Sequence, residues 1–276
     1  MNKFYIENKE DLRVLIVNTA RKKNISEAVI EKDYWVTFIL DYLFNENKWK
    51  EYFTFKGGTS LSKCFGLIER FSEDIDLILD WRVLGYEEKQ PWIERSNTKQ
   101  DKFNKEVNEK TEVFLRDEFL KVLKQDLKDM DFEFSIDTID PQTILCKYPK
   151  IFESNYLTQN IRLEIGSLAA WTPAIDVKIL PIISEAYPNV FKEKTSIWTV
   201  SGERTFWEKA TILHHEANRP ESSPMPHRYA RHFYDLYKIA NSNYKNKALE
   251  DKELLKKWLN LKWNSTLESG QGMKMH

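Results

Sequence analysis

Cysteine, glycine and proline are all scarce in this sequence of 276 residues, which contains 2 Cys, 8 Gly and 9 Pro. Cys64 and Cys146 lie far apart without metal-type spacing, so the sequence indicates neither a disulfide framework nor a zinc site. A reducing, cytoplasmic location fits this cysteine usage. Because Gly and Pro are few and 41% of residues are hydrophobic, we expect a globular chain without long unstructured linkers.

The chain also lacks an excess of charge and a long apolar run. Its 42 Lys and Arg face 43 Asp and Glu, so the net charge of −1 gives no general attraction to nucleic acid or membrane. From Glu203 onward, 13 basic residues face 9 acidic ones, which favours an anionic ligand but equally fits a solvated helix surface. Charges interrupt the apolar runs near the N-terminus, and the stretch from Val36 to Leu40 ends at Asp41. No secretory signal, membrane span or membrane partner is therefore predicted.

Hydrophobic periodicity predicts an α+β fold. The segment SEAVIEKDYWVTFILDYLF, from Ser26, predicts a long buried helix in which Glu31, Lys32 and Asp33 are exceptional. Residues 98–130 keep apolar residues at helical spacing and predict an amphipathic helix. The segments DFEFSIDTID, QTILCKYPKIF and NIRLEIGSLAAW alternate as strands do. We therefore expect a mixed or antiparallel sheet with flanking helices over residues 1–200 and a helical region over 201–276.

Two carboxylates in the segment RFSEDIDLILDW are candidate metal ligands. The alternation of acidic and apolar residues predicts a strand with one polar face, so Asp74 and Asp76 emerge on the same side. Like charges this close raise each other's pKa unless a cation balances them. Carboxylate oxygens are the ligands that Mg²⁺ prefers, so we predict that Asp74 and Asp76 hold Mg²⁺.

A glycine pair precedes these carboxylates in YFTFKGGTSLSKCFGLI, which predicts a strand, a turn and a helix. Gly57 and Gly58 allow a close backbone approach, and Thr59 and Ser60 begin the helix, whose first N–H groups are donors for phosphate. The Ser60 hydroxyl and Lys63, one turn later, are candidates for the outer phosphates. The segment is neither a Walker loop nor a dinucleotide fingerprint.

A third carboxylate should complete the metal site or accept a proton from the attacking hydroxyl. Glu164 in IRLEIG is the first candidate and Asp176 in AIDVKIL the second, because both alternate with apolar residues. His214 and His215 beside Glu216 are a weak alternative, since adjacent helical residues face different directions.

Each feature also has an ordinary structural interpretation. Two aspartates on a strand are commonly a solvated edge, and a glycine pair before a helix is commonly a turn. Their occurrence together, in the order GGTS, helix and DID, favours a phosphoryl-transfer site.

These motifs carry a resemblance to a known family. The phrases IEKDYWVTFIL, FKGGTSLSK and RFSEDIDLIL, over residues 29 to 79, resemble the AbiEii/AbiGii-type nucleotidyltransferase toxins of the DNA polymerase β-like superfamily. The segments FWEKATILHHEA and RYARHFYDLYKIA resemble the family tail more loosely. By this resemblance Lys209 contacts nucleotide phosphates, Asp235 lies in the active-site cleft, and Arg228 or Arg231 binds phosphate or braces Asp235. A buried Lys209–Asp235 ion pair is the structural alternative.

The resemblance implies a polymerase β-like core with a C-terminal helical region that completes the cleft. It implies a toxin of a toxin–antitoxin system that uses Mg²⁺ and a nucleoside triphosphate to add a nucleotide to RNA, with the acceptor end of tRNA as target and a cognate antitoxin as partner. Transfer to a protein or small molecule, and a non-catalytic nucleotide-binding regulatory module, remain alternatives.

Overall fold

The computed structural model describes residues 4–169, 171–220, 222, 225, 229–256 and 258–259. Both helices and strands occur along these residues, as the periodicity predicts. The helices are α1 (Lys9–Lys23), α2 (Glu27–Asp41), α3 (Gly57–Lys63), α4 (Asn97–Phe114), α5 (Leu120–Asp126), α6 (Gly202–Ala217), α7 (Ala230–Ala240) and α8 (Asn243–Glu250). The strands are β1 (Phe53–Lys56), β2 (Ile75–Leu79), β3 (Glu133–Ile136), β4 (Thr143–Lys147), β5 (Asn160–Gly166), β6 (Ala174–Ile179) and β7 (Thr195–Val200).

The described strands form one mixed sheet in the order β3-β4-β5-β2-β1-β7-β6. Strand β2 pairs antiparallel with β1 and parallel with β5, so it lies near the middle of the sheet. Along β5 buried and half-buried residues alternate, with Ile161, Leu163 and Ile165 in the core and Arg162 and Glu164 on the other face. This alternation confirms the expected α+β fold and gives the sheet one polar face.

Helix α2 is buried almost throughout, which confirms the prediction made from its apolar sequence. Its exceptional charges are buried too, with Glu31 and Lys32 at 0% exposure and Asp33 at 6%. Buried charges persist when they have partners. These three side chains therefore bind α2 to segments that are distant in sequence.

Strand β7 was not predicted. The segment TSIWTV follows a stretch containing Pro173 and Pro181 and leads into α6. In the structure β7 inserts between β1 and β6, pairing parallel with β1 and antiparallel with β6. Its pairing with β1 bridges residues far apart in sequence, which periodicity alone does not reveal.

The helices after residue 200 pack on one another and on the segment that follows α3. Leu61 and Ile68 share a small core with Phe206, Ile239 and Ala248. This contact brings α6 and α7 against the loop that leads to β2. No helix in the described part of the chain is long and apolar enough to cross a membrane.

Candidate active site

A row of polar residues crosses the middle of the sheet. Lys56 on β1 is the register partner of Asp76 on β2, and Asp76 is the register partner of Glu164 on β5. Neighbouring strands lie about 4.8 Å apart, so these side chains emerge side by side on the polar face. Asp74 immediately precedes β2. The structure thus brings together Asp74, Asp76 and Glu164, although β5 lies some 90 residues farther along the chain.

Gly57 has a conformation and a position that favour glycine. Its φ is +80°, and a Cβ atom built on it would lie 1.9 Å from Asp76 Oδ2. The absence of a side chain therefore makes room for the carboxylate of Asp76. Gly58 is similarly close to its surroundings, because a Cβ atom there would lie 2.7 Å from Arg70 Nη2 and 2.8 Å from Ser72 Oγ.

The two hydroxyls at the start of α3 are used inside the protein. Thr59 Oγ1 donates to the carbonyl oxygen of Asp74 at 2.6 Å, which fixes the backbone beside the first carboxylate. Ser60 Oγ donates to the carbonyl oxygen of Gly57 at 3.0 Å, and both Thr59 and Ser60 are fully buried. In this structure Ser60 therefore shapes the turn, while the backbone of Gly57 and Gly58 faces Asp76 and Arg70.

The electrostatics of the two aspartates favour a bound cation. Burial, opposed in part by Lys56 and reinforced by Glu164, raises the pKa of Asp76 to about 6. Burial, followed by the charges of Glu164 and Glu73, also raises the pKa of Asp74. Among the described residues, no side chain donates a hydrogen bond or ion pair to either carboxylate at short range. A cation would lower the energy of both ionised groups.

The donor set fits a hard divalent cation such as Mg²⁺, because all three candidate ligands are carboxylates. Within the described ranges no three His, Cys, Asp or Glu side chains already converge as a metal site. Glu164 Oε1 accepts a hydrogen bond from Arg162 Nε at 3.1 Å, and Arg162 also binds Asp137 at 2.6 Å. Metal binding would therefore draw Glu164 toward Asp76 and away from Arg162.

A cavity of about 280 Å³ opens beside this row. Its lining includes Lys56, Asp76, Asn108, Gln142 and Glu164, so it is a polar space at the carboxylates. It can admit phosphate oxygens or a hydroxyl to the side chains of Asp76 and Glu164.

The sequence analysis did not predict two charged residues of this site, Lys56 and Glu208. The Nζ atom of Lys56 lies 3.8 Å from the Oε1 atom of Glu208 on α6. Burial would raise the pKa of Glu208, but Lys56, Arg204 and Lys209 together hold it at about 2. The pKa of Lys56 is raised, first by Glu208. A signal for Lys56 was present, because strand alternation after the buried Phe55 places it on the polar face.

Lys209 and Asp235 are brought together in a buried charge cluster with Arg70. Arg70 donates to both carboxylate oxygens of Asp235 at 2.8 Å, and Lys209 Nζ lies 3.1 Å from Asp235 Oδ2. Asp235 is fully buried and Lys209 is 5% exposed. Burial opposes ionisation, but Arg70 and Lys209 lower the pKa of Asp235. The charge of Lys209 also acts on Asp76, so the cluster adjoins the carboxylate row.

Arg70 braces Asp235, a role that the tail resemblance suggested for Arg228 or Arg231. Arg231 is exposed, and Arg228 lies outside the described residues. Arg70 begins the motif RFSEDID, but the sequence does not reveal its role because its partner Asp235, on α7, is remote in sequence. His232 completes the surroundings, with Nδ1 3.4 Å from Lys209 Nζ, and burial followed by the charge of Lys209 lowers its pKa to about 4.

Other candidate residues lie away from the row. Lys63 pairs with Asp33 of α2, and both side chains are more than nine-tenths buried, so contact with phosphates would require this pair to break. Asp176 is exposed on β6, with β7 and β1 between it and β2. Glu216 pairs with Arg219 at 2.6 Å, and no metal cluster includes it or its neighbouring histidines in the described part of α6.

Comparison with known proteins identifies the family of this chain. The family model "Nucleotidyl transferase AbiEii toxin, Type IV TA system" matches residues 39–262. The chain is similar in fold to MenT4, a nucleotidyltransferase toxin from Mycobacterium tuberculosis H37Rv, with a TM-score of 0.50 and 17% identity over 95% of this chain and 74% of MenT4. No curated protein sequence matches the chain. Because the family match spans most of the sequence, this chain belongs to the AbiEii family of nucleotidyltransferase toxins of type IV toxin–antitoxin systems.

Proposed function

We propose that this protein transfers a nucleoside monophosphate from a nucleoside triphosphate to RNA, using Mg²⁺ held by Asp74, Asp76 and Glu164. The observation that carries the proposal is the register of β2 with β5, which sets Asp76 beside Glu164 on the polar face. The family supplies the reaction class. The metal, the acceptor and the roles of individual residues are the proposal.

In this scheme the acceptor hydroxyl attacks the α-phosphorus, and pyrophosphate leaves as the new phosphodiester forms. Bound Mg²⁺ would neutralise charge on the phosphate oxygens. Asp74 and Asp76 would hold the ion and so orient the α-phosphate, while Glu164, whose side chain is 40% exposed, would complete the ligand set or accept the proton of the hydroxyl. Gly57 leaves Asp76 the space that this orientation requires.

The triphosphate would lie between α3 and the tail helices. Backbone N–H groups of Gly57, Gly58, Thr59 and Ser60 would donate to its oxygens, and Lys209 would supply positive charge beside Asp235. The helical region over 201–276 would thus complete the cleft of a catalytic domain over 1–200. The shared core of Leu61 and Phe206 supports this arrangement, because it holds α6 against the segment that carries Arg70.

RNA, with the acceptor end of tRNA as the target, is the proposed acceptor, and a cognate antitoxin is the proposed partner. The basic surplus after Glu203 supports RNA, since phosphate backbones are met by Lys and Arg. A protein or small-molecule hydroxyl is the alternative acceptor, and a nucleotide-binding regulator without turnover is the alternative function.

The test incubates the purified protein with total RNA, Mg²⁺ and each α-labelled triphosphate in turn. Asp76→Ala serves as the inactive control and Asp176→Ala, on β6, as the matched control. Label in a discrete RNA band, lost in Asp76→Ala and kept in Asp176→Ala, is expected. Label in protein or small molecules would identify the other acceptors.

The regulatory alternative has a separate readout. Both functions predict that Mg²⁺ and a triphosphate raise the melting temperature, because ligands that bind the folded state stabilise it. Only the enzyme consumes the triphosphate. Stabilisation without consumption, with RNA, protein and small-molecule acceptors all present, would favour the regulator.

A further inference from the structure

A second, larger cavity of about 840 Å³ lies beside the proposed active site. Four of the chain's nine tryptophans line it: Trp81, Trp92, Trp171 and Trp258. The ring centroids of Trp81 and Trp171 lie 4.2 Å apart, and those of Trp81 and Trp92 lie 6.2 Å apart. The volume is within the roughly 300–1,000 Å³ range of small-molecule sites, and its walls are suited to planar rings.

The same cavity has a buried arginine with unused donors. Arg204 lines the cavity and is 1% exposed. Its Nη1 binds Glu208 at 2.7 Å, but within the described residues Nε and Nη2 have no hydrogen-bond partner. Buried charged donors without acceptors are costly. These two buried nitrogens form one edge of the guanidinium, whose parallel N–H groups suit a phosphate or a pair of acceptors on a nucleobase.

Contacts connect this cavity to the carboxylate row. Arg204 binds Glu208, Glu208 lies 3.8 Å from Lys56, and Lys56 is the register partner of Asp76. The segment after β5 also lines both spaces, with Ala169 at the smaller cavity and Trp171 at the larger one. A ligand in the larger cavity would therefore lie close to the reacting groups.

The charges that line the cavity disfavour a polyphosphate. Glu88, Asp251 and Glu253 line the cavity, against Lys89 and Arg204. A triphosphate, with its several negative charges, would be repelled, whereas a neutral base with one phosphodiester has the aromatic walls and one arginine edge that it needs. The cavity therefore suits the acceptor strand and not the donor triphosphate.

We propose that this tryptophan cavity binds one unpaired nucleotide of the acceptor RNA, with its base stacked on the indole rings and an acceptor atom on Arg204. The inference rests on the proposed RNA acceptor and adds how that acceptor is recognised, as a single-stranded end. Unpaired bases can be splayed out and stacked on aromatic side chains, whereas paired ones cannot.

Binding of a short, fluorescein-labelled, single-stranded oligoribonucleotide tests the proposal. Fluorescence anisotropy is measured with the full chain in EDTA and without triphosphate, so that catalysis plays no part. Trp92→Ala is the main variant because Trp92 is 38% exposed, and Trp198→Ala is the matched control because Trp198, on β7, is 45% exposed and outside the cavity lining. Trp92→Phe restores an aromatic face, and Arg204→Lys keeps the charge but removes the paired N–H edge.

Loss of one stacked base weakens binding by about 5- to 150-fold, and this loss is expected for Trp92→Ala. Trp92→Phe should recover most of the affinity, Arg204→Lys should bind more weakly, and Trp198→Ala should match the wild type. The stabilisation of Trp92→Ala by Mg²⁺ and triphosphate should be unchanged. Equal affinity of Trp92→Ala and wild type, equal binding of a blunt RNA duplex, or no oligoribonucleotide binding by the wild type would overturn the inference.

The test separates this inference from the proposed function. Binding that depends on Trp92, in a protein that labels no RNA, would refute RNA nucleotidyl transfer and leave the cavity assigned to a nucleotide. Transfer to RNA that is unaffected by Trp92→Ala would support the function and refute the cavity assignment.

Discussion

Replacing Gly57 by alanine introduces two separable perturbations. The first is backbone strain, since a non-glycine residue at φ +80° costs about 1–2 kcal/mol. The second is a collision, because the new Cβ atom would lie 1.9 Å from Asp76 Oδ2 and 2.6 Å from Asp76 Cγ. Relief requires the carboxylate to shift by about 1 Å, and a misplacement of about this size can cost a reaction about 100-fold.

Gly85 provides the matched control, because its φ is +83° and nothing lies within 4 Å of a Cβ atom built there. Gly85→Ala therefore carries the strain without the collision. Both variants should lose about 1–2 kcal/mol of unfolding free energy in urea titrations followed by circular dichroism. Only Gly57→Ala should lose about 100-fold in nucleotidyl transfer and weaken Mn²⁺ binding. Near-normal transfer by Gly57→Ala, or an equal loss in Gly85→Ala, would refute the role given to the Asp76 carboxylate.

Three further outcomes are expected. Burial raises the pKa of Asp76 from its ordinary value of 3.8 to about 6, so the free energy of unfolding falls as the pH rises through this window. Asp76→Asn should therefore stabilise the metal-free protein at pH 8 by up to about 3 kcal/mol. Mg²⁺ should then raise the melting temperature of the wild type but not of the variant. Burial likewise raises the pKa of Glu31 from 4.5 to about 7, so wild-type stability should decline between these pH values in urea titrations, and Glu31→Gln should flatten the decline. Asp235→Asn should cost about 3–5 kcal/mol in the same assay, because it removes the charge of the fully buried Asp235, which pairs with Arg70 and with the buried Lys209. Asp101→Asn, in an exposed pair, should cost less than about 1 kcal/mol.

Local patterns predicted more of the fold than of its connections. The helix after Ser26, the β1 to α3 unit and the alternation of β5 follow from short-range periodicity, and the structure has them. Strand β7 has β-branched alternation too, but its partner β1 lies about 140 residues earlier. Sequence spacing therefore indicates that TSIWTV can be a strand without showing that it enters the sheet beside the candidate site.

In the candidate site too, local patterns predict some residues, while others are recognised only through partners that are remote in sequence. Asp74 and Asp76 were visible because two residues on one strand share a face, whereas Lys56 and Arg70 need partners on α6 and α7 to be recognised. For Lys63 the local pattern suggested a role that the structure does not support directly. Its position one turn into α3 suggested phosphate binding, but Lys63 forms an ion pair with the buried Asp33 of α2.

The charges of α2 explain how distant segments stay aligned around the carboxylates. Lys32 Nζ binds Glu73, next to Asp74, at 2.6 Å, and it also contacts Thr158, just before β5. Asp33 pairs with Lys63 at the end of α3. One helix thus fixes the approaches to β2 and β5 and the end of α3. Sequence reasoning found these charges exceptional without partners to assign, because the partners lie elsewhere in the chain.

Sheet register couples the stability of this fold to the geometry of its site. Ile75 and Leu77, which flank Asp76, are fully buried. A slip of β2 by one residue would turn Asp76 into the core and expose both apolar side chains, because side chains alternate between faces. Burying an unpaired carboxylate is strongly unfavourable, so the core selects the register in which Asp76 meets Glu164. The hydrophobic alternation that stabilises the sheet therefore also sets the spacing of the proposed metal ligands.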